Sequence, residues 1–234
     1  MATSVNAAPA RRPGAPPRFL NVVRQTLKRG AAAPYATIEG TIVRAYARAK
    51  IPLYWIALQS AKNPVEVLYL NIHDTADGAS RAETTYRDHV PKHPDLLRLQ
   101  ERLAAHYAGP SNSTLTIRRD EFVYGRGDVD FATMSALRVT VFHVKAGHEG
   151  DFVDAAQTGR AVPWQMYEDT ATSTFFLVAP LRGPSDRRGG GLPRTLRRVK
   201  RTYTAERPVV YVVRHAMSHA PPEYAAVDAR YRRP

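Results

Sequence analysis

One nine-residue pattern occurs twice in the chain, and it limits what the chain can fold into. Residues 22–30 read V-V-R-Q-T-L-K-R-G, and residues 139–147 read V-T-V-F-H-V-K-A-G. Lys28 then matches Lys145, Gly30 matches Gly147 and Tyr35 matches Phe152, at a constant offset of 117. Each copy is a β-rich run closed by Lys-x-Gly and followed by a helical pattern. A chain of 234 residues accommodates two units of roughly 100 residues, each long enough to bury a core.

Hydrophobic periodicity predicts the elements of each unit. Leu20 to Leu27 reads as a strand, and Ala31 to Lys50 as a helix with Ile38, Ile42, Ala45, Tyr46 and Ala49 on one face. Leu53 to Ser60 and Val65 to Ile72 alternate as a hairpin around Asn63-Pro64. Ala82 to Tyr107 is mainly helical but interrupted by Pro91 and Pro94, and Leu115 to Tyr124 is a last strand. The order is β-α-β-β-α-β, the split ferredoxin-like unit. The second copy repeats it with strands at 137–144, 164–168, 174–179 and 209–214 and helices at 148–158 and 192–203.

A split βαβ sheet carries helices on one face only, so the other face also needs a cover. Two copies in one chain supply each other's. The expected class is α+β: two tandem ferredoxin-like βαββαβ units whose antiparallel sheets pack face to face as a pseudo-dimeric α+β barrel. The expected boundaries are a disordered basic tail at 1–18, a first repeat at 19–127, a second at 128–220, and a polar C-terminal tail at 221–234.

Composition removes several chemistries. The chain has no cysteine, which excludes disulfides, thiolate metal sites and cysteine nucleophiles. No apolar run reaches the ~18 residues of a membrane span. Arg11-Arg12 is followed by a Pro-rich stretch rather than an apolar core, so a secretory or twin-arginine signal is not supported and a cytoplasmic location is expected. The net charge is +13. Ten basic residues against Asp186 and Glu206 between Arg182 and Arg214 give a local +8, suited to an anionic partner or to a solvated face.

The Lys-x-Gly-(x)4-[Tyr/Phe] entry into the first helix, the doubled split unit and the aromatic hairpin resemble the dimeric α+β barrel superfamily, which includes antibiotic-biosynthesis-type monooxygenases and NIPSNAP-like proteins. The resemblance runs from Phe19 to Asp228. Val144-Lys145-Ala146-Gly147-His148-Glu149 and the closing Met217-Ser218-His219-Ala220-Pro221-Pro222-Glu223-Tyr224 give it the look of a tandem bacterial branch. It implies a small-molecule cleft, since members include cofactor-free oxygenases, haem-degrading oxygenases and haem proteins such as the chlorite dismutases. No catalytic set of an enzymatic branch aligns with these residues.

Candidate side chains follow. His143, in the second half of a strand beside Phe142 and Val144, is a candidate base or haem ligand if it faces the interior, and otherwise a core or edge histidine. Tyr54, Trp55, Trp164 and Tyr167 stand on matching hairpin strands. They line a cleft or fill a core. Tyr54 with His143 forms the candidate catalytic pair, and Trp55, Trp164 and Tyr167 the candidate substrate wall. Arg197, Arg198 and Arg201, on a basic helix from Arg194 to Arg201, are candidate anion contacts. His89 and His93 flank Pro91, which spoils a shared helical face, so no metal site is expected. Gly189-Gly190-Gly191 and Gly125-Arg126-Gly127-Asp128 read as loops.

The leading expectation is a small-molecule-binding protein, cofactor-independent and monooxygenase-like if an enzyme, with a cleft between the repeats and a hydrophobic or aromatic ligand. A non-enzymatic module using the basic helix for an acidic partner, or a haem protein, remain alternatives. A monomer or homodimer fits either.

Overall fold

A computed structural model describes residues 15–120, 131–157, 164–169, 171–186 and 195–231. The N-terminal tail up to residue 14, both glycine-rich loops and Arg194 lie outside the described residues.

The first unit comprises β1 (Phe19–Thr26), α1 (Ala32–Arg48), β2 (Trp55–Ser60), β3 (Glu66–His73), α2 (Ala76–His89), α3 (Pro94–Ala104) and β4 (Asn112–Arg118). The second comprises β5 (Ala136–Val144), α4 (Glu149–Gln157), β6 (Gln165–Asp169), β7 (Thr174–Leu181), β8 (Tyr203–Ala205) and β9 (Val209–Val213), and α5 (Pro222–Val227) follows. The prolines divide the second helical stretch of the first unit as expected. A 3-10 turn over Val90–Lys92 joins α2 to α3, because Pro91 and Pro94 cannot donate to a continuous helical ladder.

The repeated Lys-x-Gly element is the same turn twice. Gly30 and Gly147 have φ of +79° and +81°, and the N–H groups of Lys28 and Lys145 donate to the His106 and Thr202 carbonyls, each at 2.8 Å. A Cβ at either glycine would meet nothing within 4 Å, so the demand is on the backbone alone. Gly30→Ala and Gly147→Ala are each expected to cost about 1 kcal/mol in urea unfolding, and the asparagine variants less.

Every strand pairing is antiparallel, and the strands close a ring in the order β1-β3-β2-β9-β5-β7-β6-β4 and back to β1. β8 continues the β9 side along β5. The halves meet at two seams related by the repeat. At one, Arg118 pairs with Tyr167; at the other, Val213 pairs with Leu58. Arg119 ion-pairs with Glu168 across the first seam.

Strand alternation sorts the side chains to two sides of this wall. Leu20, Val22, Ile56, Leu58, Leu68 and Leu70 from the first unit meet Leu137, Val139, Val141, Tyr167, Phe176 and Val178 from the second inside the barrel. The outward faces carry α1 and α3 on the first unit, over Leu27, Ala57, Val67 and Tyr69, and α4 on the second, over Phe142, Phe175 and Leu177.

Three expectations change. The interface between the repeats is not a cleft but a packed core, because both sheets present large apolar side chains there that fill the space between them. The stretch expected as a second helix in the second unit is a run of turns from residue 195 to 201. Buried Leu196 pins it, and three-residue backbone bonds such as Arg198 N–H to the Thr195 carbonyl (3.0 Å) hold it. The C-terminal stretch is not a polar tail: Tyr224 and Tyr231 are buried within the barrel core at 0% and 6% exposure. No described helix is long and apolar enough to cross a membrane.

Candidate active site

Among the described residues a large cavity lies inside the first unit, between its sheet and its helices, with an open mouth and a volume of about 1250 Å³. The outward face of β1, β2 and β3 makes the floor, with Asn21, Gln25, Trp55, Tyr69 and Asn71. α1 makes one wall with Tyr35, Glu39, Ile42 and Tyr46, and α2 roofs the mouth with the stretch from Gly78 to Tyr86. Thr75 caps α2 by accepting the Gly78 N–H at 2.9 Å, yet no α2 residue is buried. The roof is held by few apolar contacts, the property of an element that opens at low cost.

Glu39 is the central group. It sits on the inward face of α1, one turn from Tyr35 and two turns from Tyr46, and is 4% exposed. Burial pushes its carboxyl pKa up to about 8, against a smaller opposing pull from the Tyr69 hydroxyl and the Trp55 indole. A buried carboxyl without a cationic partner prefers its neutral form. The Tyr35 and Tyr69 hydroxyls share one short hydrogen bond, and burial raises both phenols above the ordinary tyrosine value. Tyr107 lies over Tyr35 with ring centroids 6.1 Å apart. At the mouth, burial lowers the His73 pKa while Asp74 opposes it.

The second half builds the back of this site. After β9 the chain turns over α1 and β2. The Met217 carbonyl accepts the Trp55 indole N–H at 2.8 Å, and Ser218 Oγ accepts the Ala57 N–H at 3.0 Å. His219 Nδ1–H donates to the Leu53 carbonyl, which fixes the ring with its proton on that nitrogen. Its ring stacks on Tyr54 at 5.3 Å and 21°, and lies 5.2 Å from Trp55. Gly40 faces this segment: a Cβ there would stand 3.4 Å from the Ala216 carbonyl, close to ordinary contact.

Strand register shows what became of the same place in the second unit. Val23 pairs with Tyr69 and Thr140 with Leu177; Gln25 pairs with Val67 and Phe142 with Phe175. Tyr69 is therefore replaced by Leu177, Gln25 by Phe142, Tyr35 by Phe152 and Glu39 by Ala156. Phe142, Phe152, Phe175, Trp164 and Leu196 fill the space as an apolar core.

Of the residues singled out from sequence, Tyr54 and Trp55 line the cavity. Trp164 stands at the register position of Trp55 but is packed in the filled second unit, so it does not face a ligand. Tyr167 does not either: it points into the barrel, fully buried, and its hydroxyl donates to the Pro17 carbonyl at 2.9 Å. His143 is remote from the cavity. It lies at the open end of the barrel with its side chain half exposed, bonded to Thr174 Oγ1 at 3.3 Å and Glu206 Oε1 at 3.1 Å. There it joins an ion pair, with Arg24 donating to Glu206 at 2.6 and 2.8 Å. Arg197, Arg198 and Arg201 are exposed on the turn segment, outside the cavity lining. Among the described residues no cluster of three or more His, Asp or Glu has the arrangement of a metal site. Glu39 was missed, although its signal was present: a carboxylate inside the apolar stripe of α1, between Ile38 and Ile42.

No protein-family model matches the chain. No curated protein matches it by sequence. Solved structures do match. A protein from Fusobacterium nucleatum, provisionally named a monooxygenase, superposes with a TM-score of 0.56 at 10% identity, over 83% of this chain and 91% of its own. An anthrone oxidase-like protein gives 0.52 at 12% identity, over 87% and 94%. A mutant chlorite dismutase from Candidatus Nitrospira defluvii gives 0.51 at 9% identity, over 86% and 93%. At such identities the likeness is one of fold. With an eight-stranded antiparallel barrel closed between two split units, the chain has the fold of the dimeric α+β barrel superfamily, both halves being supplied by one polypeptide.

Proposed function

We propose that the chain is a small-molecule-binding enzyme of the monooxygenase-like kind, working without a cofactor in the cavity of its first unit. The observation that carries this reading is a buried carboxyl, Glu39, on the wall of an aromatic cavity. A carboxylate with a pKa near 8 is a far stronger base than one in water and matches the acidity of phenols and activated methylene groups. Glu39 takes a proton from such a substrate, and the resulting anion gives an electron to dioxygen. Radical recombination forms a peroxide, which loses water to leave a ketone. The balance is one methylene plus dioxygen giving one carbonyl plus water. Trp55 and Tyr54 hold the flat substrate, and the α2 roof keeps bulk water from the anion. The resemblance to an anthrone oxidase-like protein supports the substrate type.

The lining does not suit haem. The deep end is a carboxyl and three phenols, and Arg81 is the only arginine or lysine among the described lining residues to meet propionates. His143, the histidine considered as an iron ligand, is outside the cavity, and the histidine that lines it, His73, stands at the mouth beside Asp74. Oxygen uptake with a polyphenolic or anthrone-like substrate tests the proposal. Uptake should need no added metal or haem, fall by about a hundredfold or more in Glu39→Gln, and be unchanged in His143→Ala. Full activity in Glu39→Gln, or a Soret band on haemin titration with uptake only in the haemin-loaded protein, would refute it.

A further inference from the structure

We propose that Tyr69, Tyr35 and Tyr107 form a hydroxyl relay that carries protons between the Glu39 carboxyl and solvent. It rests on reading the cavity as a proton-transfer site, and it adds how a base enclosed by aromatic side chains is reset. The geometry is a chain. The Tyr35 and Tyr69 hydroxyls are bonded to each other, the Tyr107 ring lies 6.1 Å from that of Tyr35, and Glu39 stands one turn from Tyr35 on the wall of the same cavity, where the Tyr69 hydroxyl favours its ionised form. Tyr35 and Tyr69 are buried, whereas Tyr107, bridged to Leu27 where β1 ends, is only half-buried and reaches the rim. The titratable groups around Glu39 are Tyr35 and Tyr46 on its own helix, Tyr69 on β3, Tyr107 after α3, and His219 from the second half beside Tyr46 and Trp55.

All three relay phenols feel the charge of ionised Glu39, which opposes their own ionisation. The relay therefore passes protons without storing a phenolate. In one outward transfer Glu39 gives its proton to the Tyr69 oxygen while Tyr69 gives its own to Tyr35, Tyr35 to Tyr107 and Tyr107 to water. Four O–H bonds break, at Glu39, Tyr69, Tyr35 and Tyr107, and four form, at the three phenols and at water, so the carboxyl ends ionised and water ends protonated. The second unit is an internal control. Where Ala156 replaces the carboxyl, Phe152 and Leu177 replace the two inner phenols, and the remaining Tyr203 donates its hydroxyl to the Leu196 carbonyl at 3.0 Å. The inner links are absent where the group they would serve is absent.

The test uses the full chain with ¹³C-labelled glutamate carboxyls, the Glu39 signal being assigned by its loss in Glu39→Gln. Proton exchange between Glu39 and solvent is read from the signal across its titration. Tyr35→Phe and Tyr69→Phe each break the chain, so a folding defect in one leaves the other. Either should slow exchange by about tenfold or more, with imidazole buffer restoring the rate, and Tyr107→Phe should slow it less. Unchanged exchange in both inner variants overturns the relay, as does slowing that imidazole does not relieve, which marks a purely structural role. Because exchange is read without substrate, a protein inactive toward oxygen with the expected exchange defects loses the enzyme reading and keeps the relay. An active protein with unchanged exchange does the reverse.

Discussion

Glu39→Gln is expected to flatten the pH dependence of the protein's stability. The folded-state pKa of Glu39, about 8, lies above the ordinary glutamate value, so the folded chain binds this proton more tightly than the unfolded chain does. The contribution is fully present below the unfolded pKa. It is lost as pH rises through the folded one, and above that it stays lost. A shift of this size on a buried group corresponds to roughly 5 kcal/mol between about pH 4.5 and pH 8. Urea unfolding at pH 5 and pH 8.5 checks it: the wild-type midpoint should drop markedly between the two, and the glutamine variant's should move far less. The same substitution abolishes the base, so a variant more robust than the parent at pH 8.5 and catalytically dead is the expected pair of results. Stability exchanged for reactivity is the usual mark of a functional buried charge.

Tyr224→Ala is expected to cost about 3–5 kcal/mol, and removal of residues 221–234 to cost more. Tyr224 is fully buried in the barrel, and its ring lies 6.0 Å from that of Tyr231, which in turn lies 4.7 Å from His215. Arg230 fastens the segment, donating to Ser135 Oγ at 2.9 Å and to the Thr133 carbonyl at 3.1 Å. Val227→Ala on the same helix, at a side chain 48% exposed, should stay within about 0.5 kcal/mol. Chemical denaturation of both variants measures the contrast. Equal, small losses would mean that the segment is an accessory rather than part of the core.

Much of the architecture was readable because it depends on local rules. The matched Lys-x-Gly turns, the period-two strands and the helix-breaking prolines each act over a few residues and appear close to where they were expected, except that the strand expected at Leu115 to Tyr124 lies at Asn112–Arg118, with residues 121–130 outside the described ones. The two-unit barrel also followed, since a one-sided sheet must be covered. What failed depended on which side of a strand faces which neighbour. Tyr167 and Trp164 are both aromatic residues on one hairpin strand. Alternation sends the first into the barrel and the second under the helix layer, and the pattern alone does not say that the second unit's layer is filled. Phe142 and Val144 left His143 open between the interior and an edge, and its strand side meets the barrel only at the rim, beside Arg24 and Glu206. Tyr224 and Tyr231 sit among Pro, Arg and Asp in a stretch that composition marks as solvated, and only the open barrel end explains their burial.

The two halves of this barrel cannot drift apart. In an assembly of separate subunits, the strap over Trp55 and Tyr54 would be lent by a neighbour and withdrawn on dilution. Here the segment from Arg214 to His219 is tethered to the pocket it braces, so the specific activity of each molecule should be the same at nanomolar as at micromolar protein.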